Sequence, residues 1–383
     1  MKKFLSLILV LAMLLSLGVT AFAADKTAAD TVLTVSTQTG KAGAKTVVKS
    51  YTKAELAKLA QTNADGSAYE YYKEGWQAVV ATQYVTLDAL LADAGVTFTA
   101  DNSLSFTCAD GAYTKAYPTY KDLSEGKYYF DGTSSTEVPA ALALVWGSGS
   151  LKDGTVADIA KTAKDSGSLR FVCGTTEADY KATKSAGKRM PSGVTDISVV
   201  SPVSFTDVTS ADWFHDDVLS CAEAGYMQGA GDKFSPKGTT TRAMVATILY
   251  RMAGSPAVTG TSGFTDVAAG KWYANAVTWA KTSGVATGSG DKFNPDGSVT
   301  REQLAAFLYR YAQAMKYDTT QGGMSLKEYP DYEATSEYAR AALQWCVTMG
   351  ILNGQNGSIA PQASAQRCEL AAMLTRFLAK AAK

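Results

Sequence analysis

The chain has 383 residues, enough for two or three domains with cores of their own. Its 36 lysines and arginines balance its 36 aspartates and glutamates, so the net charge indicates neither a nucleic-acid partner nor an anionic membrane surface. A single histidine, His215, excludes a Ser-His-Asp or Cys-His catalytic set from residues 30–200, and it excludes a histidine-rich metal site. We therefore expect no cofactor and no metal.

Residues 1–23 predict a secretory signal peptide. A short basic start precedes the apolar stretch "FLSLILVLAMLLSLGV", and Ala21-Phe22-Ala23 forms a small-x-small cleavage site. We expect an exported chain that begins near Ala24, with an uncleaved membrane anchor as the alternative. No later stretch is long and apolar enough to cross a bilayer, so we expect no transmembrane segment in the mature chain.

Residues 30–200 predict one mixed α+β domain of unknown ligand. "TVLTVSTQTG" alternates like a strand, "SYTKAELAKLAQ" has the pattern of a capped helix, and "TLDALLADAG" predicts a short helix that ends in glycine. Four further stretches predict strands, namely "SLSFTCADGAYTKAYP", "KYYFDG", "VPAALALVWG" and "SLRFVCG".

The chain has five cysteines, an odd number for an exported protein, and no pair has CxxC spacing. Two interpretations stay open. Cys108 with Cys173, or Cys346 with Cys368, could form disulfides, or all five could be buried apolar thiols.

The C-terminal half repeats one unit three times, with predicted bounds 203–258, 262–320 and 327–381. The stretches "SPKGTTTRAMVATILYR", "NPDGSVTREQLAAFLYR" and "APQASAQRCELAAMLTR" correspond, and an arginine follows Gly225, Gly284 and Gly350 by 17 residues each time. Self-similarity at a fixed period indicates a tandem module.

Each copy predicts two helices joined by a glycine-rich turn. The first helix would carry Trp213 or Trp272 on its inner side and end at glycine. The second would open at Thr241 or Thr300 as N-cap, with Gln303 completing a capping box in the second copy. Helical spacing of apolar residues then defines its buried face.

An arginine follows each of these N-caps, although a cation is unfavourable beside the positive end of a helix dipole. Beside free helix N–H groups, Arg242, Arg301 and Arg367 could receive a carboxylate or phosphate. They could equally pair with an aspartate of their own or a neighbouring copy, and both interpretations stay open. The aspartates concerned are Asp207, Asp266 and Asp331.

The motifs F-x-D-V, W-[FY], G-x-x-x-G, F-x-P and T-R, in three consecutive copies over roughly residues 203–380, resemble the S-layer homology (SLH) domain. The resemblance implies an all-α module of three helix-pair repeats arranged as a pseudo-trimer. It also implies binding of peptidoglycan-linked, pyruvylated secondary polysaccharide in grooves between neighbouring repeats. The glycan-binding residues that it assigns, copy by copy, are Asp207, Trp213 and Arg242; Asp266, Trp272 and Arg301; and Asp331, Tyr338 and Arg367.

The copies depart from the family pattern at a few positions. The third has Gln366 for threonine, Tyr338 for tryptophan and Ile359 for phenylalanine. The first has Met244 where the family usually has an acidic or amide residue. The second copy therefore predicts the most complete site, and the third a chiefly structural role.

About 65 residues of the N-terminal domain resemble part of a sulfite-oxidase-like molybdopterin domain, with an L-x-x-L-L helix, a strand ending near Asp110-Gly111 and a proline-led apolar strand. That family's metal-binding cysteine should lie upstream of this helix, yet no cysteine precedes Cys108. A shared fold would therefore come without molybdenum chemistry.

These patterns predict a secreted bacterial protein, held non-covalently at the cell wall or S-layer surface by its repeats and displaying residues 30–200. The predicted partner is peptidoglycan-linked secondary cell-wall polysaccharide, with possible self-association and no nucleic acid. We assign no catalytic residue. The alternative is a wall-anchored enzyme with a carboxylate pair in the N-terminal domain, where Asp110 is the most suggestive residue.

Overall fold

The computed structural model describes residues 30–72, 76–110, 118–124, 128–130, 135–152, 155–174, 181, 190–320 and 325–381. The predicted signal peptide lies outside the described residues. The chain divides into two compact units at residue 201, except that residues 39–43 belong with the C-terminal unit.

The N-terminal unit contains two four-stranded sheets and a small two-stranded sheet among its described residues. The strand order is β2-β1-β10-β5 in the first sheet and β3-β4-β8-β9 in the second, with β6 paired to β7. The strands are β1 (Thr31–Thr39), β2 (Thr46–Thr52), β3 (Gln61–Tyr72), β4 (Trp76–Thr86), β5 (Ser103–Cys108), β6 (Tyr128–Phe130), β7 (Ser135–Glu137), β8 (Ala141–Ser150), β9 (Arg170–Val172) and β10 (Val194–Ser201).

Four short helices are seen in the described part of this unit, and the two that the sequence predicts are confirmed. They are α1 (Lys53–Leu59), α2 (Leu87–Ala94), α3 (Tyr120–Ser124) and α4 (Val156–Lys161). Thr52 closes a capping box with Glu55 at the start of α1. Gly95 ends α2 with a φ of 69°, a left-handed conformation that glycine adopts at little cost.

Each of the three C-terminal copies forms two α-helices, as predicted. The helices are α5 (His215–Glu223) and α6 (Arg242–Met252), α7 (Ala274–Thr282) and α8 (Arg301–Ala314), and α9 (Glu337–Thr348) and α10 (Arg367–Lys380). Two short 3-10 helices, Ser325–Glu328 and Tyr332–Ala334, precede α9.

The predicted caps form. Gly225 and Gly284 follow the first helices with φ values of 73° and 76°. Thr241 and Thr300 accept hydrogen bonds from the N3 amides of α6 and α8, and Gln303 completes the box of α8. A single apolar cluster draws residues from all three copies and has the fully buried Trp345 and Phe377 among its members.

The expected inner position of the tryptophans is wrong. Trp213 and Trp272 are 64% and 63% exposed. The helices begin only at His215 and Ala274, so the residues before them, Phe214 and Tyr273, point inward instead and are buried. Tyr338 of the third copy is likewise 53% exposed.

All five cysteines are buried thiols with no disulfide between them, as the second sequence interpretation has it. Burial raises the pKa of Cys221 to about 12. Across the described part of the chain, none of the helices has the length and apolar character needed to cross a membrane.

Candidate functional site

The three copies are joined by a closed cycle of backbone hydrogen bonds just before their second helices. Thr240 of the first copy donates to the carbonyl of Ala365 of the third at 3.1 Å. Ala365 donates to Val299 of the second at 2.8 Å, and Val299 donates back to Thr240 at 3.0 Å. Each copy therefore fixes the start of the second helix in another copy.

The arginine after each N-cap repeats this cycle with its side chain. Arg242 donates its Nε to the Phe293 carbonyl at 2.7 Å, so the first copy contacts the second. Arg301 makes the same bond to Ile359 of the third copy at 2.8 Å. Arg367 closes the cycle on Phe234 of the first copy at 2.9 Å. All three arginines therefore lie at boundaries between copies.

The N-terminal amides of these helices are occupied, so the expectation that free helix N–H groups lie beside the arginines is wrong. Arg242 and Ala243 donate their backbone N–H groups to Gly297 and Pro295 of the next copy. Arg301 with Glu302, and Arg367 with Cys368, do the same. The first two amides of each helix donate to carbonyls in a loop of another copy, and the third amide of α6 and of α8 donates to the N-cap threonine. At these helix starts an anion can therefore be received by the guanidinium side chains and not by the backbone amides.

The three aspartates form no ion pair with the arginines, so that alternative is also wrong. Each carboxylate accepts two consecutive backbone N–H groups of its own copy's loop at 2.7–2.9 Å. The second residue of each amide pair has a positive φ, a conformation that needs such support in a non-glycine residue. These aspartates are Asp207, Asp266 and Asp331. Each supports the loop whose preceding carbonyl accepts the arginine of another copy.

Replacing Asp266 with asparagine is expected to lower the free energy of unfolding of the C-terminal unit by about 1–3 kcal/mol. The amide offers one acceptor oxygen, and its NH₂ group would face the second backbone donor. Desolvation raises the pKa of Asp266, but the N–H bonds from Phe293 and Asn294 outweigh it, so the pKa is lowered.

A lowered folded pKa makes this contribution to stability complete above the unfolded value of about 3.9 and lost as the pH falls through the folded value. Urea unfolding at pH 7 and pH 3, followed by tryptophan fluorescence, measures the effect. Wild type should lose more stability between these pH values than Asp266→Asn. Equal losses would contradict the assigned role.

A groove of about 530 Å³ lies beside Arg242. Its walls come from the loop after α7, from the outer face of α8 and from Tyr338 of the third copy. A Cβ at Gly288 would clash with the ring of Phe264, so glycine is required for the loop to pack this closely. The polar side chains of this Arg242 groove are Arg242, Thr287, Ser289, Asn294, Ser298, Gln303, Arg310 and Tyr338.

Positive charge dominates the Arg242 groove. Desolvation, followed by the nearby charge of Arg310, lowers the pKa of Arg242. The guanidinium carbon of Arg242 lies 4.9 Å from the ring centre of Phe293, which holds it in place. Among the described residues, no carboxylate forms a salt bridge with Arg242 or Arg310. Two cations therefore share one open groove.

Tyr338 is fixed at the edge of this groove by Glu302. Its hydroxyl donates to Glu302 Oε1 at 3.1 Å, and Glu302 also accepts the backbone N–H and hydroxyl of Ser336. Desolvation and the charge of Glu302 raise the pKa of Tyr338 to about 12. The phenol therefore stays neutral at physiological pH, and its ring remains half exposed.

A second groove, of about 470 Å³, occupies the equivalent position beside Arg301. It is lined by the loop after α9, by the outer face of α10 and by the exposed Trp213. This Arg301 groove differs in charge, because Glu369 Oε1 lies 2.7 Å from Arg301 Nη1 and forms a salt bridge with it.

The third arginine, Arg367, is fully engaged by its surroundings. Its Nη2 donates to the Gln228 carbonyl at 2.8 Å, and its guanidinium stacks 4.5 Å from the ring centre of Phe234. Burial lowers its pKa, against the opposing charge of Asp207. The side chain beside it is Met244, the departure from the family pattern noted above.

The structure groups the predicted site residues across copies and not within them. Arg242 shares its groove with Tyr338, and Arg301 shares its groove with Trp213. The expectation that the second copy's arginine has the most complete site does not agree with the geometry, since Arg301 is only 4% exposed.

Sequence reasoning missed the arginine that ends each quoted stretch. Arg310 and Arg376 line the two grooves, and Arg251 holds the corresponding place in the first copy. The sequence contains a signal for this arginine, since one recurs nine residues after each of Arg242, Arg301 and Arg367.

The family model described as the S-layer homology domain matches residues 204–244 and 263–305. The chain carries S-layer homology domains. The matched ranges cover the first two copies, from the loop before the exposed tryptophan into the second helix. They include Arg242 and Arg301 with the aspartates of the same copies.

Three relatives are similar to part of this chain. An amylopullulanase of Thermoanaerobacterium thermosulfurigenes is 30% identical over 46% of this chain and 10% of its own length. The exoglucanase XynX of Acetivibrio thermocellus is 26% identical over 62% of this chain and 22% of its own. The S-layer protein sap of Bacillus anthracis is 29% identical over 48% of this chain and 22% of its own.

The chain therefore spans between 10% and 22% of the length of these relatives. The S-layer homology domains and the S-layer relative indicate a secreted protein of the cell-wall or S-layer surface. The resemblance of residues 30–200 to a sulfite-oxidase-like domain stays a prediction.

Proposed function

We propose that residues 203–381 form one wall-binding module in which three S-layer homology repeats, 203–258, 262–320 and 327–381, close into a pseudo-trimer. The third repeat is included because it takes part in both hydrogen-bond cycles. The module holds the exported protein non-covalently to peptidoglycan-linked, pyruvylated polysaccharide. Residues 30–200 are the part displayed.

The Arg242 groove is the observation that carries this proposal. Two arginines face one open space, and neither forms a salt bridge within the described structure. Bringing two like charges together is unfavourable unless an anion joins them. A pyruvyl ketal supplies a carboxylate on a sugar, which an arginine can hold through two parallel N–H bonds.

The exposed aromatic side chains support a sugar ligand. Five large apolar side chains are exposed among the described residues, and three of them are Trp213, Trp272 and Tyr338. Each lies just before or at the start of a first helix. An aromatic ring offers a flat apolar face while keeping its polar edge in water, which suits a sugar ring at the rim of a charged groove.

The test is sedimentation of the mature chain with peptidoglycan sacks, before and after extraction of the wall polysaccharide. We expect binding to intact sacks, loss of binding on extraction, and at least tenfold weaker binding of a Trp213→Ala, Trp272→Ala, Tyr338→Ala variant. Arg340→Ala is the surface control, because Arg340 lines neither groove and its polar contacts, to Glu333 at 3.8 Å and to the Thr335 hydroxyl at 3.4 Å, are long. Equal binding to extracted sacks would contradict a polysaccharide ligand.

Catalysis in the N-terminal unit remains the alternative. Two of the relatives are named as enzymes, an amylopullulanase and an exoglucanase, and they match this chain over 10% and 22% of their own lengths. In the described part of this unit, Asp196 is a buried carboxylate, but it accepts bonds from Thr34, Ser36, Ser198 and Lys45. Because both oxygens of the Asp196 carboxylate are hydrogen-bonded within the chain, this residue has a structural role. Asp110 lies exposed at a turn after β5, and its catalytic assignment stays a prediction, as does self-association.

A further inference from the structure

The Arg242 and Arg301 grooves differ at one equivalent position. Gln303 and Glu369 both lie two residues after the arginine of their helix, at N3 of α8 and α10. Both side chains accept the backbone N–H of the N-cap residue, Thr300 at 3.2 Å and Gln366 at 2.8 Å. The two side chains therefore have the same local position, and they differ in charge.

Glu369 fills the place that an external carboxylate would take on Arg301. Its Oε1 binds Arg301 Nη1 at 2.7 Å, with both side chains less than a tenth exposed. The other nitrogens of Arg301 bind the carbonyls of Ile359 and Asn353 at 2.8 and 2.9 Å. Gln355 also contacts Glu369 from the loop. No donor nitrogen of this guanidinium is left without an acceptor of the chain.

Arg242 keeps its equivalent donors open. Its Nε binds the Phe293 carbonyl at 2.7 Å, and within the described residues its Nη1 and Nη2 make no hydrogen bond. Gln303 brings no charge to this groove. The guanidinium can therefore bind a carboxylate without first losing one.

The third position is closed by a different arrangement. Arg367 uses Nε and Nη2 on the carbonyls of Phe234 and Gln228. Arg251, the equivalent of Arg310, donates to the Tyr226 carbonyl and to the Gln228 side chain, each at 3.2 Å. Both cations are thus hydrogen-bonded to residues 226–228, in the loop after α5.

We infer that each chain binds one acidic sugar, in the Arg242 groove, and that Glu369 acts as a built-in competing carboxylate that keeps the Arg301 groove closed. Position 303 or 369 then determines whether a groove accepts the ligand: an amide leaves it open and an acid closes it. This inference rests on the proposed function, because it presumes that the grooves bind a carboxylate-bearing sugar.

The test exchanges the two residues. The probe is a methyl hexoside carrying a 4,6-pyruvate ketal, titrated into the full mature chain by isothermal calorimetry. We expect one site per chain for wild type, two for Glu369→Gln and none for Gln303→Glu. Glu333→Gln removes an exposed carboxylate outside both grooves, so it should keep one site.

The outcomes separate the two levels of the proposal. Two equal sites in wild type would overturn the role of Glu369 and leave the proposed function standing. No binding by wild type or by any variant would overturn the proposed function and this inference with it. If Glu369→Gln does not fold, Gln303→Glu decides alone: loss of the site supports the inference, and an unchanged affinity overturns it.

Discussion

Replacing Arg301 with alanine is expected to lower the free energy of unfolding of the C-terminal unit by about 3–5 kcal/mol. The substitution leaves Glu369 as a carboxylate that is only 9% exposed and has lost its counter-ion. It also leaves the carbonyls of Ile359 and Asn353 without their donor. Chemical denaturation followed by circular dichroism at 222 nm, where the helices dominate the signal, measures the loss.

Arg340→Ala is the matched control for this loss. Arg340 is 42% exposed, and its contact to Glu333 is of the surface kind, which contributes about 0–1 kcal/mol. A destabilisation by Arg301→Ala no larger than that of Arg340→Ala would contradict the claim that this ion pair joins the second and third copies.

Replacing Arg242 with alanine is expected to weaken binding of the wall polysaccharide about 10- to 100-fold. A hydrogen-bonded charge pair contributes about 1.5–3 kcal/mol, and each 1.4 kcal/mol is a factor of ten. The stability should fall less than in Arg301→Ala, because Arg242 leaves no buried carboxylate behind. Sedimentation with intact sacks at a series of protein concentrations measures the change in affinity.

Arg310→Ala separates binding from folding more cleanly. Arg310 lines the same groove, and none of the hydrogen bonds described in this structure involves it. Its loss should weaken binding while leaving the unfolding midpoint within the range of the Arg340→Ala control. Full affinity in both Arg242→Ala and Arg310→Ala would show that the ligand does not use this groove.

The helices of the repeat could be predicted because their signals are local. Thr300 and Gln303 form a capping box, Gly284 ends the preceding helix, and the apolar spacing follows the helical period. In the N-terminal unit, the caps at Thr52 and Gly95 gave the same kind of signal. The strands β3 and β4 were not predicted, because mixed polar and aromatic stretches such as "QTNADGSAYEYY" do not alternate cleanly.

The candidate site could be predicted only in part, because it is assembled across copies. The sequence of one copy does not indicate that Arg242 donates to the Phe293 carbonyl of the next copy. It also does not indicate that Tyr338 of the third copy lines the groove beside Arg242. The role of Asp207 depends on the loop fold, since its carboxylate supports a residue with positive φ, Ser235. The motif assigns the candidate residues copy by copy, whereas each of the two grooves combines residues of different copies.

Whether Trp213 is buried or exposed depends on where the first helix of its copy begins, and the expected and observed starts differ by two residues. Extending α5 back to Trp213 would have placed the indole on the buried face, whereas the helix starts at His215 and buries Phe214 instead. Helix ends are the least certain part of any periodic pattern. Here that small difference separates a core residue from a surface residue available to a ligand.

The most direct test of a carboxylate-bearing sugar in the Arg242 groove is calorimetric titration of the mature chain. The titrant is wall polysaccharide released from the producing bacterium, used before and after mild-acid hydrolysis of its pyruvyl ketals. Binding to the intact polymer that disappears on hydrolysis, and that is weakened by Arg242→Ala, is the result we predict. The same affinity for the intact and the hydrolysed polymer would contradict it.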